Sequence, residues 1–246
     1  MSARMSTDAR GSTGAPAVAV ESLTKRFGDL VAVDDVSFDV ADREIFGIIG
    51  PNGAGKTSLM ECLEGLQRRT SGAARVLGAD PDVADRSWRA RVGVQLQSSA
   101  LPTKVKVGEV IDLFGSFYEN PREADELIAE LGLSGKKNSY VEKLSGGQRQ
   151  RVSIALALVS RPEIVFLDEL TTALDPQARL AMWDVVRSIR DAGCTVVMTT
   201  HYMEEAEALC DRVAIVDRGR IIALDTVAGL VAGLGGASLV TLKTDR

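Results

Sequence analysis

Residues 50–58 read Gly-Pro-Asn-Gly-Ala-Gly-Lys-Thr-Ser, a glycine followed by four residues and then Gly-Lys-Thr. The mostly apolar residues 44–49 before this stretch have the length of a strand, and residues 58–63 after it read as a helix start. A strand, a glycine-rich turn and a helix start direct several backbone N–H groups at one spot, at the positive end of the helix dipole. Such a spot favours phosphate, so the stretch predicts a nucleoside-triphosphate site. A glycine-rich turn with a surface lysine is the alternative, which the complete pattern disfavours.

Each residue type in this loop has a physical reason for its place. Gly50, Gly53 and Gly55 allow a tight backbone and a close approach that larger side chains would block. Lys56 can reach the terminal phosphates, and the Thr57 hydroxyl can ligate Mg²⁺. The predicted nucleotide contacts in the loop are Gly50, Pro51, Asn52, Gly53, Ala54, Gly55, Lys56, Thr57 and Ser58.

Composition and charge restrict the classes of function. With 246 residues and 45% hydrophobic content, the chain can bury one sizeable core, or one large domain with a subdomain. A net charge of -5 and 4% aromatic residues argue against a nucleic-acid-binding surface, so we expect no nucleic-acid partner. The cysteines Cys62, Cys194 and Cys210 lie far apart without CxxC spacing, which fits reduced thiols in a cytoplasmic protein.

The sequence also indicates where the folded part begins and ends. Residues 1–16 are rich in small and polar residues, lack the apolar segment of a secretory signal, and are predicted to be a disordered leader. We expect one domain at residues 17–235, with a helical insert at about 98–160, and assign no structure to residues 236–246. No stretch approaches ~18 consecutive apolar residues, so another chain would have to supply any membrane spans.

Strand and helix patterns alternate along this domain. The apolar runs 164–167 and 195–200 suit central parallel strands buried on both faces, whereas residues 36–40 alternate like a half-exposed antiparallel strand. Between residues 107 and 132 the period becomes helical, and Pro121 is expected to begin the second helix. We therefore predict an α/β fold with a parallel-sheet core, an N-terminal antiparallel β subdomain and an inserted α-helical subdomain.

Polar side chains lie at the ends of three predicted strands. Asp168 and Glu169 end one apolar run, Gln97 ends another strand, and His201, the only histidine, follows a third. In an open parallel sheet, ligands bind beyond the carboxyl ends of the strands. We expect Asp168 to hold Mg²⁺ through water and Glu169 to polarise the attacking water; the Gln97 amide could contact the Mg²⁺ or that water. A surface Asp-Glu pair and a structural histidine are the alternatives, which these positions disfavour.

Residues 144–148, Leu-Ser-Gly-Gly-Gln, precede a helix that is expected from Arg149. Without a lysine this stretch cannot be a second phosphate loop. Ser145, Gly146 and Gly147 could nevertheless leave backbone N–H groups free for a γ-phosphate at the helix start. An ordinary serine N-cap is the alternative, and for this motif alone it is the better one.

In this combination and order, the motifs resemble those of ATP-binding cassette (ABC) proteins. The resemblance covers about residues 18–225. It is carried by the phosphate loop, Gln97, Leu-Ser-Gly-Gly-Gln, Leu-Asp-Glu at 167–169, Leu174-Asp175 and His201. It implies a P-loop NTPase fold with a RecA-like core, an ATPase activity, and ATP and Mg²⁺ as cofactors.

The resemblance also implies a role for each matching residue. The cassette would work as a head-to-tail dimer, in which the Ser-Gly-Gly of a second copy closes over the ATP bound to the first. Phe27, otherwise a hydrophobic anchor beside a turn, matches the aromatic residue that stacks on adenine, where the family more often has tyrosine. Asp175 matches the loop that links the two sites, and His201 the residue that contacts the γ-phosphate. The implied residues beyond the loop are catalytic Glu169, His201, Gln97 and Lys56; nucleotide-binding Phe27, Ser145, Gly146, Gly147, Gln148 and Asp175; and metal-binding Thr57, Gln97 and Asp168.

Two residues depart from the usual family pattern. Leu170 and Ala173 stand where proline and glycine (or serine) are common. Ala173 is a conservative change, whereas Leu170 is expected to loosen the chain after Glu169. Neither removes a chemical group that hydrolysis needs.

The resemblance favours an ATPase subunit that drives a separate integral-membrane permease from the cytoplasmic face of the membrane. The stretches 97–102 and 201–207 are similar to bacterial drug- and antibiotic-exporter cassettes, although importers share much of this pattern. The permease would set the substrate and would contact the helical insert around residues 97–117.

Three alternatives to transport remain for a cassette ATPase. Translation factors usually carry two cassettes in one chain, whereas this chain has one. DNA-repair members carry a long coiled coil, and residues 98–143 hold no sustained heptads. A non-hydrolysing regulatory module is disfavoured because Glu169 and His201 are both present.

Overall fold

The structure, a computed structural model, describes residues 14–95, 104–172 and 174–233. Residues 1–13 of the predicted leader, the predicted tail at residues 236–246, and the predicted site residue Gln97 lie outside these ranges, as does Ala173.

The described strands form two sheets. A three-stranded antiparallel sheet has the order β2-β1-β4, and a six-stranded sheet has the order β5-β6-β7-β3-β8-β9. The six-stranded sheet is parallel except for β9, which pairs antiparallel with β8. The strands are β1 Val18–Phe27, β2 Leu30–Val40, β3 Ile45–Ile49, β4 Ser71–Val76, β5 Val92–Gln95, β6 Ile164–Asp168, β7 Thr195–Thr200, β8 Arg212–Asp217 and β9 Arg220–Asp225.

The helices pack around these sheets, and three of them lie between β5 and β6, where the helical insert was predicted. The helices are α1 Lys56–Leu63, α2 Arg86–Arg91, α3 Val107–Gly115, α4 Ala124–Glu130, α5 Gly146–Leu158, α6 Pro176–Asp191, α7 Met203–Leu209 and α8 Val227–Gly233. No helix in the described ranges combines the length and apolar character needed to cross a membrane. The predicted fold class, a parallel-sheet core with an N-terminal antiparallel sheet and inserted helices, is confirmed.

Two helix starts differ from the sequence-based expectation. Helix α4 begins at Ala124 rather than at Pro121, because the Arg122 N–H donates to Val159 O at 2.7 Å and Glu123 remains extended. Helix α5 begins at Gly146 rather than at Arg149, because the residue before it caps the helix with its side chain. The first difference arises from a hydrogen bond between distant residues, which local sequence patterns do not reveal. The second follows from the serine N-cap that the sequence offered as an alternative.

The central strands are buried on both faces, and alternate residues enter different cores. In β6, Ile164 and Phe166 pack in the core that contains α1 and the three-stranded sheet. Val165 and Leu167 pack in the core that contains α3, α5 and α6. This arrangement explains the continuous apolar run, because a parallel strand covered on both sides has no polar face. It also fixes β6, β7 and β3 as neighbours whose carboxyl ends lie side by side.

Candidate functional site

The phosphate loop joins β3 to α1, and neighbouring backbone holds it closely. A Cβ atom at Gly50 would lie 2.2 Å from Val216 O, and one at Gly55 would lie 2.2 Å from Ala32 O. Gly55 also has a φ of +102°, which side-chain-bearing residues rarely adopt. The turn between β8 and β9 is attached to the same loop, because the Gly219 N–H donates to Ala54 O at 2.8 Å. Glycine is therefore required here by both space and backbone conformation.

Lys56 begins α1, and its amino group lies inside the loop. Lys56 Nζ donates to Gly50 O at 2.9 Å and to Pro51 O at 3.1 Å. It also lies 3.5 Å from Glu169 Oε1, and the two side chains are only 4% and 8% exposed. The lysine and the glutamate thus form a buried ion pair at the start of the helix.

Hydroxyl groups from two elements hold the Asp168 carboxylate. Thr57 Oγ1, on α1, donates to Asp168 Oδ2 at 3.1 Å, and Thr199 Oγ1, on β7, donates to Asp168 Oδ1. The Glu169 N–H donates to Thr199 Oγ1 at 3.0 Å, which connects the next residue to the same strand. The hydroxyl and carboxylate oxygens of Thr57 and Asp168 are the kind of donor that Mg²⁺ prefers, so these residues fit the predicted metal.

The backbone turns sharply after Asp168, and this turn gives two adjacent carboxylates different neighbours. Glu169 has a φ of +47°, in the left-handed region that non-glycine residues seldom occupy. Its Oε1 lies next to Lys56 and is 3.7 Å from His201 Nδ1, and its Oε2 accepts from Thr172 Oγ1 at 3.5 Å. Strained backbone of this kind is concentrated at functional sites. Asp168 and Glu169, although adjacent in the chain, therefore contact different groups of the site.

Leu170 anchors the segment after Glu169. Its side chain is 1% exposed and packs in the core that contains α5 and α6. The Thr172 N–H donates to Glu169 O at 3.2 Å, which closes a turn over this leucine. This packing contradicts the expectation that Leu170 loosens the chain after Glu169.

A cleft of about 560 Å³ opens beside the phosphate loop. Phe27, at the end of β1, lines it with a ring that is 44% exposed, and the Lys25 ammonium lies 4.6 Å from the ring centroid. This exposure argues against the alternative that Phe27 is only a hydrophobic anchor beside a turn, and it leaves the ring accessible for stacking. The predicted residues that line the cleft are Phe27, Asn52, Gly53, Gly55, Lys56, Thr57, Ser58 and Glu169.

Sequence reasoning missed one charged residue of this cleft. Arg218, in the turn between β8 and β9, lines the cleft and is exposed. It has a φ of +47°, and the next residue, Gly219, is bonded to the phosphate loop. In the sequence, this Arg-Gly pair indicates only a hairpin turn. A cation at the mouth of a phosphate site could be found only from the packing of that turn.

The Ser-Gly-Gly-Gln motif and Asp175 lie at two other helix starts. Ser145 Oγ accepts from the Gln148 N–H at 3.3 Å, and Gln148 Oε1 accepts from the Ser145 N–H at 3.1 Å. Asp175 Oδ1 accepts from the Ala178 N–H at 2.9 Å and caps α6. Within the described ranges, residues 145–148 and 175 do not line the cleft of their own chain. Ser145 is therefore an N-cap, which was the alternative interpretation of this motif. Ser145 and Gly146 remain exposed.

Glu64, at the end of α1, is a buried acid close to the site's negative charge. It is 4% exposed, and its Oε1 has no hydrogen-bond partner among the described residues. Burial, together with the charges of Asp168 and Glu61, raises the pKa of Glu64 from about 4.5 to about 8. The folded chain therefore holds a proton on Glu64 at neutral pH that the unfolded chain releases.

We expect Glu64→Gln to change the pH dependence of stability. Because the folded-state pKa is the higher one, the free energy of unfolding should fall as pH rises from about 4.5 to about 8, and then level off. Glu64→Gln should remove this slope, and thus raise the unfolding temperature more at pH 8 than at pH 5. Thermal unfolding followed by circular dichroism measures it, with exposed Glu142→Gln as the control. An equal shift at both pH values would contradict the buried-acid assignment.

Comparisons with known proteins agree with this arrangement. The family model described as ABC transporter matches residues 33–172. The daunorubicin resistance ATP-binding protein DrrA3 of Streptomyces coeruleorubidus is 40% identical over 225 residues, covering 89% of this chain and 71% of that protein. The Nod factor export ATP-binding protein I of Ralstonia nicotianae is 38% identical, covering 96% and 74%.

Solved structures agree as well. An ATP-binding subunit of an ABC transporter superposes with a TM-score of 0.79 at 25% identity, covering 89% of this chain and 93% of that one. An ATP-binding cassette solved as a dimer in a post-hydrolysis state, with ADP and phosphate bound, has a TM-score of 0.77 at 24% identity, covering 85% and 98%. With its phosphate loop, strand-end carboxylates and these relatives, the chain belongs to the ABC transporter family and is one of its ATP-binding, ATP-hydrolysing cassettes.

Proposed function

We propose that this cassette is the motor subunit of an exporter, and that two copies act together on a separate integral-membrane permease at the cytoplasmic face of the membrane. The observation that carries the proposal is the convergence of Lys56, Thr57, Asp168, Glu169 and His201 around one phosphate loop. The proposed cassette domain is residues 17–235, with the helical insert at about 98–160.

We assign the steps of hydrolysis to these residues as follows. The loop N–H groups and Lys56 bind the triphosphate, and Phe27 supports the adenine ring by stacking. Thr57 and Asp168 hold Mg²⁺, with Gln97 as a further candidate ligand; bound there, the ion offsets charge on the phosphate oxygens. Glu169 accepts a proton from the attacking water as general base. His201, whose Nδ1 lies 3.7 Å from Glu169 Oε1, is assigned the contact to the γ-phosphate.

Exposure of the Ser-Gly-Gly-Gln motif supports a second copy as partner. Ser145 and Gly146 are exposed, and residues 145–148 are separate from the cleft of their own chain. Their helix start presents N–H groups that suit the γ-phosphate of ATP bound to another copy. A cassette of the same fold was solved as a dimer with ADP and phosphate bound, which supports two copies as the working unit. The proposed dimer is head-to-tail, with Asp175 near the interface.

Relatives that carry export and drug-resistance names support export of a drug-like or other hydrophobic compound. The proposed permease contact is at the end of α3, where Leu113 on the helix is 48% exposed and Phe117, two residues after its last residue, is 55% exposed. Large apolar side chains exposed this close together in the chain suit burial against another protein. An importer would use the same ATPase chemistry, so the permease alone distinguishes import from export.

Co-purification from membranes tests the proposal. A tagged chain, purified from detergent-solubilised membranes of its own cell, should bring with it a stoichiometric multi-span protein identified by mass spectrometry. Leu113→Asp combined with Phe117→Asp should release that protein, whereas Val83→Asp, at a residue 80% exposed before α2, should not. Recovery only from the soluble fraction, with ribosomal or DNA-associated partners or with none, would reject transport.

A further inference from the structure

An aromatic contact, and no hydrogen bond, orients the His201 ring among the described residues. His201 Nδ1 is buried without a hydrogen-bond partner in this part of the chain, and its 3.7 Å distance from Glu169 Oε1 exceeds hydrogen-bond length. The ring instead packs on Tyr202, with 4.1 Å between the centroids and 41° between the planes. The Tyr202 N–H donates to Thr200 Oγ1 at 3.0 Å, which fixes the backbone that carries both rings.

The Tyr202 ring is in turn held by α6. The guanidinium carbon of Arg179 lies 5.5 Å from the Tyr202 centroid and 5.9 Å from the Trp183 centroid. Arg179 Nε is buried without a hydrogen-bond partner in the described ranges, and such partial desolvation strengthens a cation–π contact. Trp183 is itself fixed, because its Nε1 donates to Glu205 Oε1 at 3.1 Å and Glu205 is 1% exposed.

Arg179 also connects this aromatic contact to the start of α6. The Arg179 N–H donates to Asp175 O at 2.9 Å, so the arginine lies one turn after the residue that caps the helix. A continuous set of contacts therefore runs from Asp175 through Arg179 and Tyr202 to His201.

We propose that Tyr202 and Arg179 are positioning residues that hold the His201 ring in the orientation needed for hydrolysis. This inference rests on the proposed role of His201 beside Glu169. Because both residues act through the histidine and neither lines the nucleotide cleft, their loss lowers the rate of hydrolysis and leaves ATP affinity intact.

Variants that remove the aromatic or cationic contact test this role. Tyr202→Leu and Arg179→Met should each lower kcat about 10-fold, with the KM for ATP within about twofold of the parental value. Tyr202→Phe keeps the ring and should retain at least about half of the rate. Arg190→Ala, on the same helix and paired with the neighbouring Asp191, should keep the parental rate. Unfolding temperatures, measured alongside, exclude loss of fold as the cause.

A double-mutant cycle on the full chain separates positioning from a structural effect. In a His201→Ala background, Tyr202→Leu should cause no further loss in single-turnover hydrolysis of radiolabelled ATP, because its effect depends on the histidine. Independent losses that multiply would overturn the inference while leaving the role of His201 intact. A parental rate for His201→Ala alone would instead overturn the proposed function, and with it the basis of this inference.

Discussion

Glu169→Gln should lower the rate of ATP hydrolysis about 10²-fold or more while ATP still binds. Glutamine keeps the size of the side chain and can still accept from Thr172, but it cannot take a proton from water. The Glu169 side chain is 8% exposed and lies between Lys56 and His201. A carboxylate ion from the buffer therefore cannot easily take its place in the variant. The loss should therefore appear in kcat rather than in the affinity for ATP.

Phosphate release under saturating ATP and Mg²⁺ measures the rate, and titration with a fluorescent ATP analogue measures binding. Glu163→Gln is a matched control, because Glu163 immediately precedes β6 whereas Glu169 follows it, and its partner is Arg91. This control should keep the parental rate. A Glu169→Gln chain that hydrolyses ATP as fast as the parental chain would remove Glu169 from the role of general base.

Much of the fold could be predicted because its central strands are continuous apolar runs, which are typical of parallel strands buried on both faces. Ile164–Asp168 and Thr195–Thr200 are buried at every residue, and the runs stop where polar site residues begin. The phosphate loop fixes a third strand beside them. Once three parallel strands are placed, their carboxyl ends define the location of the site.

The start of α4 could not be placed as well, because a distant hydrogen bond decides it. Pro121 has the local features of a first helical residue. The Val159 carbonyl nevertheless binds the Arg122 N–H and holds this segment extended until Ala124. A contact between residues this far apart leaves no mark in the local pattern of either one.

The site shows the same division between local pattern and tertiary contact. The loop glycines, Lys56 and the strand-end carboxylates were predicted, because each belongs to a short motif with a physical reason. Arg218, and the contact of Arg179 with Tyr202, were not. Both depend on which turn or helix packs beside the motif, and this information exists only in the folded chain.

Lys56→Ala should weaken ATP binding about 100-fold, because the ammonium supplies charged hydrogen bonds to phosphate worth about 3 kcal/mol together. Isothermal titration with ATP and Mg²⁺ measures the affinity. Lys104→Ala, which removes an exposed lysine outside the cleft, is the control and should leave the affinity unchanged. Unchanged ATP affinity in Lys56→Ala would contradict the phosphate-loop assignment.

The same substitution should also destabilise the chain when no nucleotide is bound. Lys56 Nζ lies 3.5 Å from Glu169 Oε1, and both side chains are almost fully buried. Removing the cation takes a buried positive charge away from the Glu169 carboxylate, a change that typically costs about 3 kcal/mol of unfolding free energy. Urea unfolding monitored by tryptophan fluorescence measures this loss.

The charge of Glu169 explains that loss only if removing it restores stability. Lys56→Ala combined with Glu169→Gln should therefore be more stable than Lys56→Ala alone, since the buried carboxylate is replaced by a neutral amide. The double variant should still bind ATP weakly, because its phosphate contact is missing. If the double variant is no more stable than Lys56→Ala, the loss comes from the lysine's bonds to Gly50 O and Pro51 O instead. Adding Glu169→Gln to Lys56→Ala should thus restore stability but not ATP affinity. This difference distinguishes the two roles of Lys56, its ion pair with Glu169 and its contact with phosphate.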